Sequence, residues 1–113
     1  LNNIGQPEDA LLEYEKLFAN GEDYPRAFHP YGELLAEAGK LNQAKAYLLL
    51  AILQNPNNAG DYHRLGVVHL QLGEFEFAVE SLEESNRLYP GDAATLFYLE
   101  TAKTKQREQP ERR

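Results

Sequence analysis

The sequence contains no cysteine and no methionine, even at residue 1. Without cysteine the chain can form neither a disulfide nor a thiolate ligand or nucleophile. The missing methionine leads us to expect an excised piece or a processed product of a longer protein. Long hydrophobic runs are also absent. The longest, Ala46–Leu53, is far shorter than the roughly 20 residues of a membrane-spanning helix. No signal-peptide pattern is present, so we expect no membrane insertion.

Sequence signatures of catalysis are missing too. The phosphate-binding G-x-x-x-x-G-K-[ST], the zinc-binding H-E-x-x-H and the nucleophilic G-x-S-x-G patterns do not occur. Neighbouring carboxylates such as Glu83 and Glu84 diverge on a helix, so they indicate a solvated acidic face rather than an acid–base pair. We therefore predict a protein that is not an enzyme and needs no cofactor or metal.

Basic residues are scarce in most of the chain. Residues 1–102 hold 6 basic and 16 acidic side chains, whereas residues 103–113 hold 5 basic and 2 acidic ones. An acidic body argues against nucleic-acid binding, which draws on positive charge. We interpret the basic tail as a solvated, frayed end.

The sequence repeats itself at an offset of 34 residues. At that offset Gly32 aligns with Gly66, and Gly39 with Gly73. The other matching pairs are His29 with His63, Leu41 with Phe75, Ala44 with Ala78, Leu48 with Leu82, and Pro56 with Pro90. Each unit is typical of a helix, a tight turn, a second helix and a proline-marked turn, which predicts an all-α protein.

These residues resemble the tetratricopeptide repeat (TPR) pattern of aromatic, Leu-Gly, Tyr, Ala, Phe and Pro. One unit carries Tyr62, Leu65, Gly66, His69, Ala78, Leu82 and Pro90, and the other carries Phe28, Tyr31, Gly32, Leu35, Ala44, Leu48 and Pro56. His69, in place of tyrosine, is the least conservative departure. The resemblance implies a right-handed superhelical stack of antiparallel helix pairs, with six helices in all.

The repeat divides the chain into four parts. We expect residues 1–24 to hold the second helix of a truncated repeat, and residues 25–58 and 59–92 to form complete units. Residues 93–113 would form a C-terminal capping helix and the basic tail. Glu100 stands where both units have glycine, which favours a solvated cap. The truncated start indicates further repeats upstream.

Two residue types, glycine and proline, are unfavourable inside the helices predicted to contain them. A glycine inside a helix costs about 1 kcal/mol relative to alanine. We expect Gly66 and Gly32 to offset that cost by facing Ala78 and Ala44 on the second helices, where small side chains let the helices approach. Pro30 lacks a backbone donor, so either its helix starts late or the first turn is bent. Because Pro25 would already be a good start, we favour a distorted first turn.

In a TPR stack the first helices line a concave groove. The resemblance assigns to it Arg26, His29, Glu33 and Glu37 from one unit, His63, Val67, Leu70 and Gln71 from the next, and Phe97, Thr101 and Thr104 from the last helix. This groove has an acidic and imidazole end and an apolar end. It would suit an extended or helical partner segment with apolar anchors and some basic charge.

One known TPR binding mode does not fit. Some family members clamp the C-terminal carboxylates of a peptide with lysines, an arginine and asparagines. The matching places here hold His29, Glu33, Arg64, Ala94 and Tyr98, so we expect that mode to be absent.

The histidines have simpler interpretations than metal binding. Neighbouring helices lie roughly 8 to 10 Å apart, too far for His29 and His63 to share a zinc ion with bonds of about 2 Å. Both residues either contact a ligand or are merely exposed in the groove. We expect His69 to pack between helices as a neutral ring.

Leu49, Leu50 and Leu53 form an apolar stripe on a helix whose outer face should meet water. The aligned places in the next unit hold Glu83, Glu84 and Arg87. Either upstream helices or the side chain of Tyr47 cover the stripe, or it is a second interface for self-association or a docked partner.

The sequence thus predicts a protein–protein interaction scaffold that binds a peptide or protein segment in its groove. It leaves two alternatives open, a homo-oligomerisation module and an accessory TPR segment of a larger enzyme or of a secretion or assembly complex. The partner is not identifiable. No residue pattern specifies a compartment, and we expect a soluble one, with the cytoplasm favoured.

Overall fold

The structure is a computed structural model that describes residues 7–19 and 25–109. Within these ranges every regular element is a helix, which confirms the all-α prediction: there are six α-helices and one short 3₁₀ turn, Pro25–Ala27. The helices are α1 (Pro7–Ala19), α2 (Phe28–Glu37), α3 (Leu41–Gln54), α4 (Ala59–Gln71), α5 (Phe75–Leu88) and α6 (Ala93–Glu108). They belong to two compact units: unit 1, Leu1–Pro56, and unit 2, Asn57–Arg113.

The first helix of each repeat ends at a glycine. Gly39 and Gly73 have φ values of 80° and 81°, which L-residues with a Cβ rarely adopt. In unit 2 the Gly73 N–H donates to the carbonyl of Leu70 at 3.1 Å, and the Glu74 N–H donates to that of His69 at 2.9 Å. This pair of bonds is a Schellman cap. In unit 1 the N–H groups of Gly39 and Lys40 make the same two bonds. Each turn therefore reverses the direction of the chain, so that the second helix runs back beside the first.

The glycines inside α2 and α4 lie where paired helices come closest. A Cβ on Gly66 would stand only 2.5 Å from Leu82 Cγ, and one on Gly32 would stand 3.0 Å from Leu48 Cγ. The predicted close approach is confirmed. The predicted alanine partners, such as Ala78, were wrong because a leucine one turn further along the second helix fills the space that the missing Cβ leaves.

A core cluster of unit 2 lies between its two later helices, α5 and α6. Ala78, Leu82, Leu99 and Ala102 form this cluster, and Leu70, Val79 and Tyr98 pack against it. Both alanines of this cluster have no exposed surface. Ala78 therefore contributes to the packing of α5 against α6.

A cluster of aromatic rings joins the helices of unit 1. The Phe18 ring lies within 5.9 Å, centroid to centroid, of Phe28, Tyr31 and Tyr47. The rings of Tyr31 and Tyr47 are 4.6 Å apart, and Tyr14 reaches Tyr31 at 5.5 Å. Tyr47 is thus engaged with the rings of α1 and α2. Ring pairs at these distances contribute about 0.5 to 1.5 kcal/mol beyond their area burial.

Pro30 explains why α2 is shorter than α4. The aligned helix α4 has 13 residues and α2 has 10, because Pro25–Ala27 forms a 3₁₀ turn instead of the first α-helical turn. Pro30 then falls in the first turn of α2, where its missing N–H would have had no intrahelical acceptor. The predicted distortion of this turn is confirmed.

The last helix begins at a strong cap. The Asp92 carboxylate accepts a hydrogen bond from the Thr95 N–H at 3.0 Å, which satisfies a donor that a helix leaves open. Further along α6, the Glu100 side chain is 73 % exposed, and its nearest cationic group is Lys103 Nζ at 4.0 Å. The roles given above to residues 1–24 and 93–113 remain predictions. Asn20 and Gly21, at the expected end of the first helix, lie outside the described residues.

The glycine–leucine contact yields a stability prediction. Gly66→Leu should lower the free energy of unfolding by about 2 kcal/mol or more, because overpacking a filled core costs about 1 to 3 kcal/mol and Leu82 is fully buried. Glu80→Leu, at an exposed position of α5, is the matched control and should change stability little. Thermal or urea melts followed by circular dichroism measure both. A Gly66→Leu variant that melts like the wild type would contradict the close-packing explanation.

Candidate functional site

The predicted groove residues of unit 2 lie on two helices that contact each other, α4 and α6. His63 and Val67 are one turn apart on α4, and Phe97 and Thr101 are one turn apart on α6, so each pair shares a helix face. His63, Val67 and Thr101 are partly buried, whereas the Phe97 side chain is 65 % exposed. We call these four residues the α4–α6 surface.

The other predicted residues of this unit behave differently. Leu70 is partly buried and packs against the core cluster, so its side chain contributes to folding. Gln71, at the end of α4, and Thr104, on α6, are exposed. Thr104 also lines a shallow depression along α6 together with Phe97 and Thr101.

The predicted residues of unit 1 form a separate polar group. His29 Nε2 lies 3.6 Å from a carboxylate oxygen of Glu33 one turn later on α2. Arg26, in the 3₁₀ turn, and Glu37, at the end of α2, are exposed. This part of the predicted site holds an imidazole, two carboxylates and one guanidinium, and its role in binding remains a prediction.

A hydrogen-bond chain connects α4 to the cap of α6. His63 Nδ1 lies 2.8 Å from Thr95 Oγ1, and the Thr95 hydroxyl donates to Asp92 Oδ2 at 3.0 Å. The ring of Tyr98 stands edge-on to the His63 ring, with centroids 5.8 Å apart. His63 was predicted as a groove residue, but its neighbours Thr95 and Asp92 were not predicted. The repeat offset aligns equivalent residues of different units, so it carries no information on contacts between unlike positions.

The environment shifts the pKa values of His63 and Asp92, the two ends of this hydrogen-bond chain. Burial lowers the pKa of His63 below the ordinary histidine value, the Asp92 carboxylate opposes that effect, and the Arg64 guanidinium adds to it. Hydrogen bonds from the Thr95 N–H and hydroxyl hold the pKa of Asp92 below its ordinary value. At neutral pH the ring is therefore neutral and the carboxylate is ionised.

His69 packs inside its helix pair, as predicted. It is 8 % exposed, and its ring centroid lies 5.5 Å from that of Phe77. Its Nδ1 also lies 2.7 Å from a carboxylate oxygen of Glu74, in the turn between α4 and α5. The repeat pattern did not predict this polar contact, in which Glu74, just after the Schellman cap, joins the end of α4 to the start of α5.

The leucine stripe on α3 is exposed within unit 1. Leu49, Leu50 and Leu53 are 46 %, 37 % and 79 % exposed. The aligned face of α5 instead carries Glu84 and Arg87, joined by hydrogen bonds of 3.0 and 2.5 Å. The helices α3 and α5 occupy equivalent positions in the repeat, yet α3 exposes an apolar face and α5 exposes a charged one.

The described residues, 7–19 and 25–109, show neither a metal-binding cluster nor a membrane-spanning helix. They contain no group of three or more His, Asp or Glu side chains placed to hold a metal ion. None of their helices is both long and apolar enough to cross a membrane.

The sequence profile of the tetratricopeptide repeat matches residues 25–58 and 62–92. Among solved structures, the chain is similar to MamA (41–end) from Desulfovibrio magneticus RS-1, with a TM-score of 0.83 and 18 % identity over 94 % of this chain and 60 % of that one. A second MamA crystal structure gives 0.80 and 25 % identity over 92 % and 57 %. None of the curated proteins is significantly similar to this sequence.

A peptide-bound structure shares the fold as well. The first TPR of Spaghetti (RPAP3), bound to the HSP90 peptide SRMEEVD, has a TM-score of 0.80 and 19 % identity over 92 % of this chain and 82 % of that one. A likeness at that identity establishes the fold alone. This chain spans only 57 to 60 % of the length of the two MamA chains.

The lowered pKa of His63 makes unit 2 sensitive to acid. A neutral, partly buried histidine stabilises the fold fully above the unfolded-state pKa of about 6.5, and that contribution is lost as the pH falls through the lower folded-state pKa. The free energy of unfolding should therefore decrease on acidification in that window. The decrease should be smaller in His63→Phe, which keeps a ring beside Tyr98 but cannot titrate. Asp92 loses its contribution only at lower pH, because its pKa is itself depressed. Urea titrations of both proteins across this range measure the difference, and parallel curves would contradict the assignment.

Proposed function

Since this chain belongs to the tetratricopeptide repeat family, we propose that it is a non-catalytic module that binds a peptide or protein segment through its α4–α6 surface. The observation that carries the proposal is the Phe97 side chain, which is 65 % exposed on a well-supported helix. Its ring meets that of Tyr98 edge-on at 5.3 Å. A partner that covers such a ring gains apolar burial without having to order it first.

Two other residues of the α4–α6 surface support an apolar anchor site. Val67 lies on the facing helix α4 and is partly buried. The Thr101 hydroxyl donates to the carbonyl of Phe97 at 2.9 Å, so its donor is satisfied within the helix and its methyl group is free to contact an apolar side chain. Exposed aromatic and aliphatic side chains at such positions commonly supply most of the binding energy of an interface.

The charge of the chain favours a partner with some basic residues. Residues 1–102 carry ten more acidic than basic side chains, and opposite charge speeds association and suppresses wrong partners. A related fold that holds the peptide SRMEEVD supports peptide binding in general. We do not extend that peptide's carboxylate chemistry to this chain, because Glu33 and Ala94 occupy two of the matching clamp places.

The binding proposal is testable without a known partner. Peptides selected on the wild-type chain from a displayed random library should lose at least tenfold in affinity with Phe97→Ala, since an aromatic anchor is worth about 2 kcal/mol or more. Val67→Glu should abolish binding, because it places a charge among the anchors. Phe77→Ala is the matched control: Phe77 is also an exposed phenylalanine, 55 % accessible, but lies on α5. Affinities by titration calorimetry and helicity by circular dichroism decide the result. Unchanged binding in both surface variants would show that this is the wrong surface.

A second candidate function, self-association, rests on the α3 stripe. Its occupant is a second copy of this chain, because α3 has Lys45 as its only charged residue. Two copies can therefore meet at the stripe in a two-fold arrangement without opposing like charges. Each leucine that becomes fully buried contributes about 1.5 to 3 kcal/mol relative to full exposure. The charged aligned face of α5 offers no such gain.

Self-association should be visible in solution. We expect the chain to form a dimer or larger species at micromolar concentration or above, and Leu49→Glu with Leu53→Glu to give a monomer of undiminished helicity. Asn42→Glu with Gln43→Glu adds the same charge at exposed positions of α3, away from the stripe, and should leave the association intact. Sedimentation velocity measures all three proteins. A wild-type chain that remains monomeric at millimolar concentration would rule the interface out.

A further inference from the structure

The protons of the hydrogen-bond chain at the start of α6 can be counted. An ionised carboxylate only accepts hydrogen bonds, and a threonine hydroxyl has a single proton. Because the Thr95 hydroxyl lies 3.0 Å from Asp92 Oδ2, that proton belongs to this bond. Thr95 Oγ1 must then accept a hydrogen bond from His63 Nδ1, which lies 2.8 Å away. The neutral ring of His63 therefore carries its proton on Nδ1.

This proton count also determines the protonation state of the other ring nitrogen, Nε2. With the proton on Nδ1, Nε2 of His63 holds a lone pair and can only accept. In the described part of the chain Nε2 makes no hydrogen bond, and the ring is partly exposed. His63 shares its helix face with Val67, one turn away. The acceptor thus lies beside the apolar anchors of the α4–α6 surface.

We propose that the chain from His63 through Thr95 to Asp92 fixes His63 as a hydrogen-bond acceptor on the α4–α6 surface, so that the partner meets it with an N–H or O–H donor. The proposal rests on the proposed function and specifies its chemistry. A carboxylate of the partner is excluded at this position while the ring is neutral, because Nε2 has no proton to give. The Asp92 carboxylate at the other end of the hydrogen-bond chain also repels a second anion beside His63.

Charged and titratable groups surround the His63 ring, and the contact of this ring with a partner depends on its protonation. They are Asp92 in the cap of α6, Arg64 next to His63 on α4, and Tyr98 edge-on from α6. A proton taken up on Nε2 changes the acceptor into a donor, and the favoured partner group changes with it. A partner bound through an N–H is then released by acid, and the burial that lowers the pKa of His63 places this release below the ordinary histidine range.

The tautomer is measurable without any partner. Two-bond nitrogen–proton NMR spectra of the ¹⁵N-labelled full chain should show His63 protonated on Nδ1 and unprotonated on Nε2 at mildly alkaline pH. Thr95→Val keeps the shape of this buried side chain but removes the acceptor, and it should abolish the preference for Nδ1–H. Thr95→Ser keeps the hydroxyl and should retain that preference. Proton occupancy of Nε2 in the neutral wild-type ring would overturn the proposal.

The second readout uses peptides selected on the wild-type chain at mildly alkaline pH. Their affinity should fall about three- to tenfold between about pH 8 and about pH 5, as expected for the loss of one hydrogen bond. His63→Phe should bind with little dependence on pH. Affinity that rises on acidification, or that falls equally in His63→Phe, would overturn the acceptor role. If no peptide binds although the tautomer is as stated, the failure belongs to the proposed function instead.

Discussion

The contact between a mid-helix glycine and a leucine of the following helix sets the spacing on which both units depend. Gly66 lets α4 approach α5 so closely that Leu82 occupies the space of a Cβ, and Gly32 does the same for Leu48. The propensity cost of about 1 kcal/mol per glycine is offset by the complete burial of both leucines. In unit 2 that packing supports the core against which α6 lies, and α6 carries Phe97 and Thr95 to the candidate site.

Much of this architecture could be predicted from the sequence because its signals are local and repeat. Gly39 and Gly73 mark turns that need a positive φ, Asp92 caps the last helix, and Pro30 displaces the start of α2, each through a rule that involves only nearby residues. The repeat offset then places these signals in register. The same offset revealed the α3 stripe, since it compares Leu53 with a charged residue at the equivalent position.

Contacts between unlike repeat positions could not be predicted. His63 and Thr95 are bonded although they are 32 residues apart, an interval that differs from the repeat offset, so no alignment of units pairs them. The predicted partner of Gly66, Ala78, was one helical turn too early on α5. The alignment of the two helices indicates which turns face each other. It does not show that the long side chain of Leu82 reaches into the space beside Gly66. The ring cluster around Phe18 likewise joins α1 to α2 and α3, through contacts between positions that the repeat offset does not pair.

The central claim is that a partner binds the α4–α6 surface, and mapping the bound site tests it most directly. Backbone amide chemical shifts of the full ¹⁵N-labelled chain would be compared with and without a peptide selected from a displayed library. The account predicts that the largest changes cluster at His63, Val67, Phe97 and Thr101, with smaller changes at the cap around Thr95. Changes confined to the outer face of α5 or to the leucine stripe of α3 would contradict it.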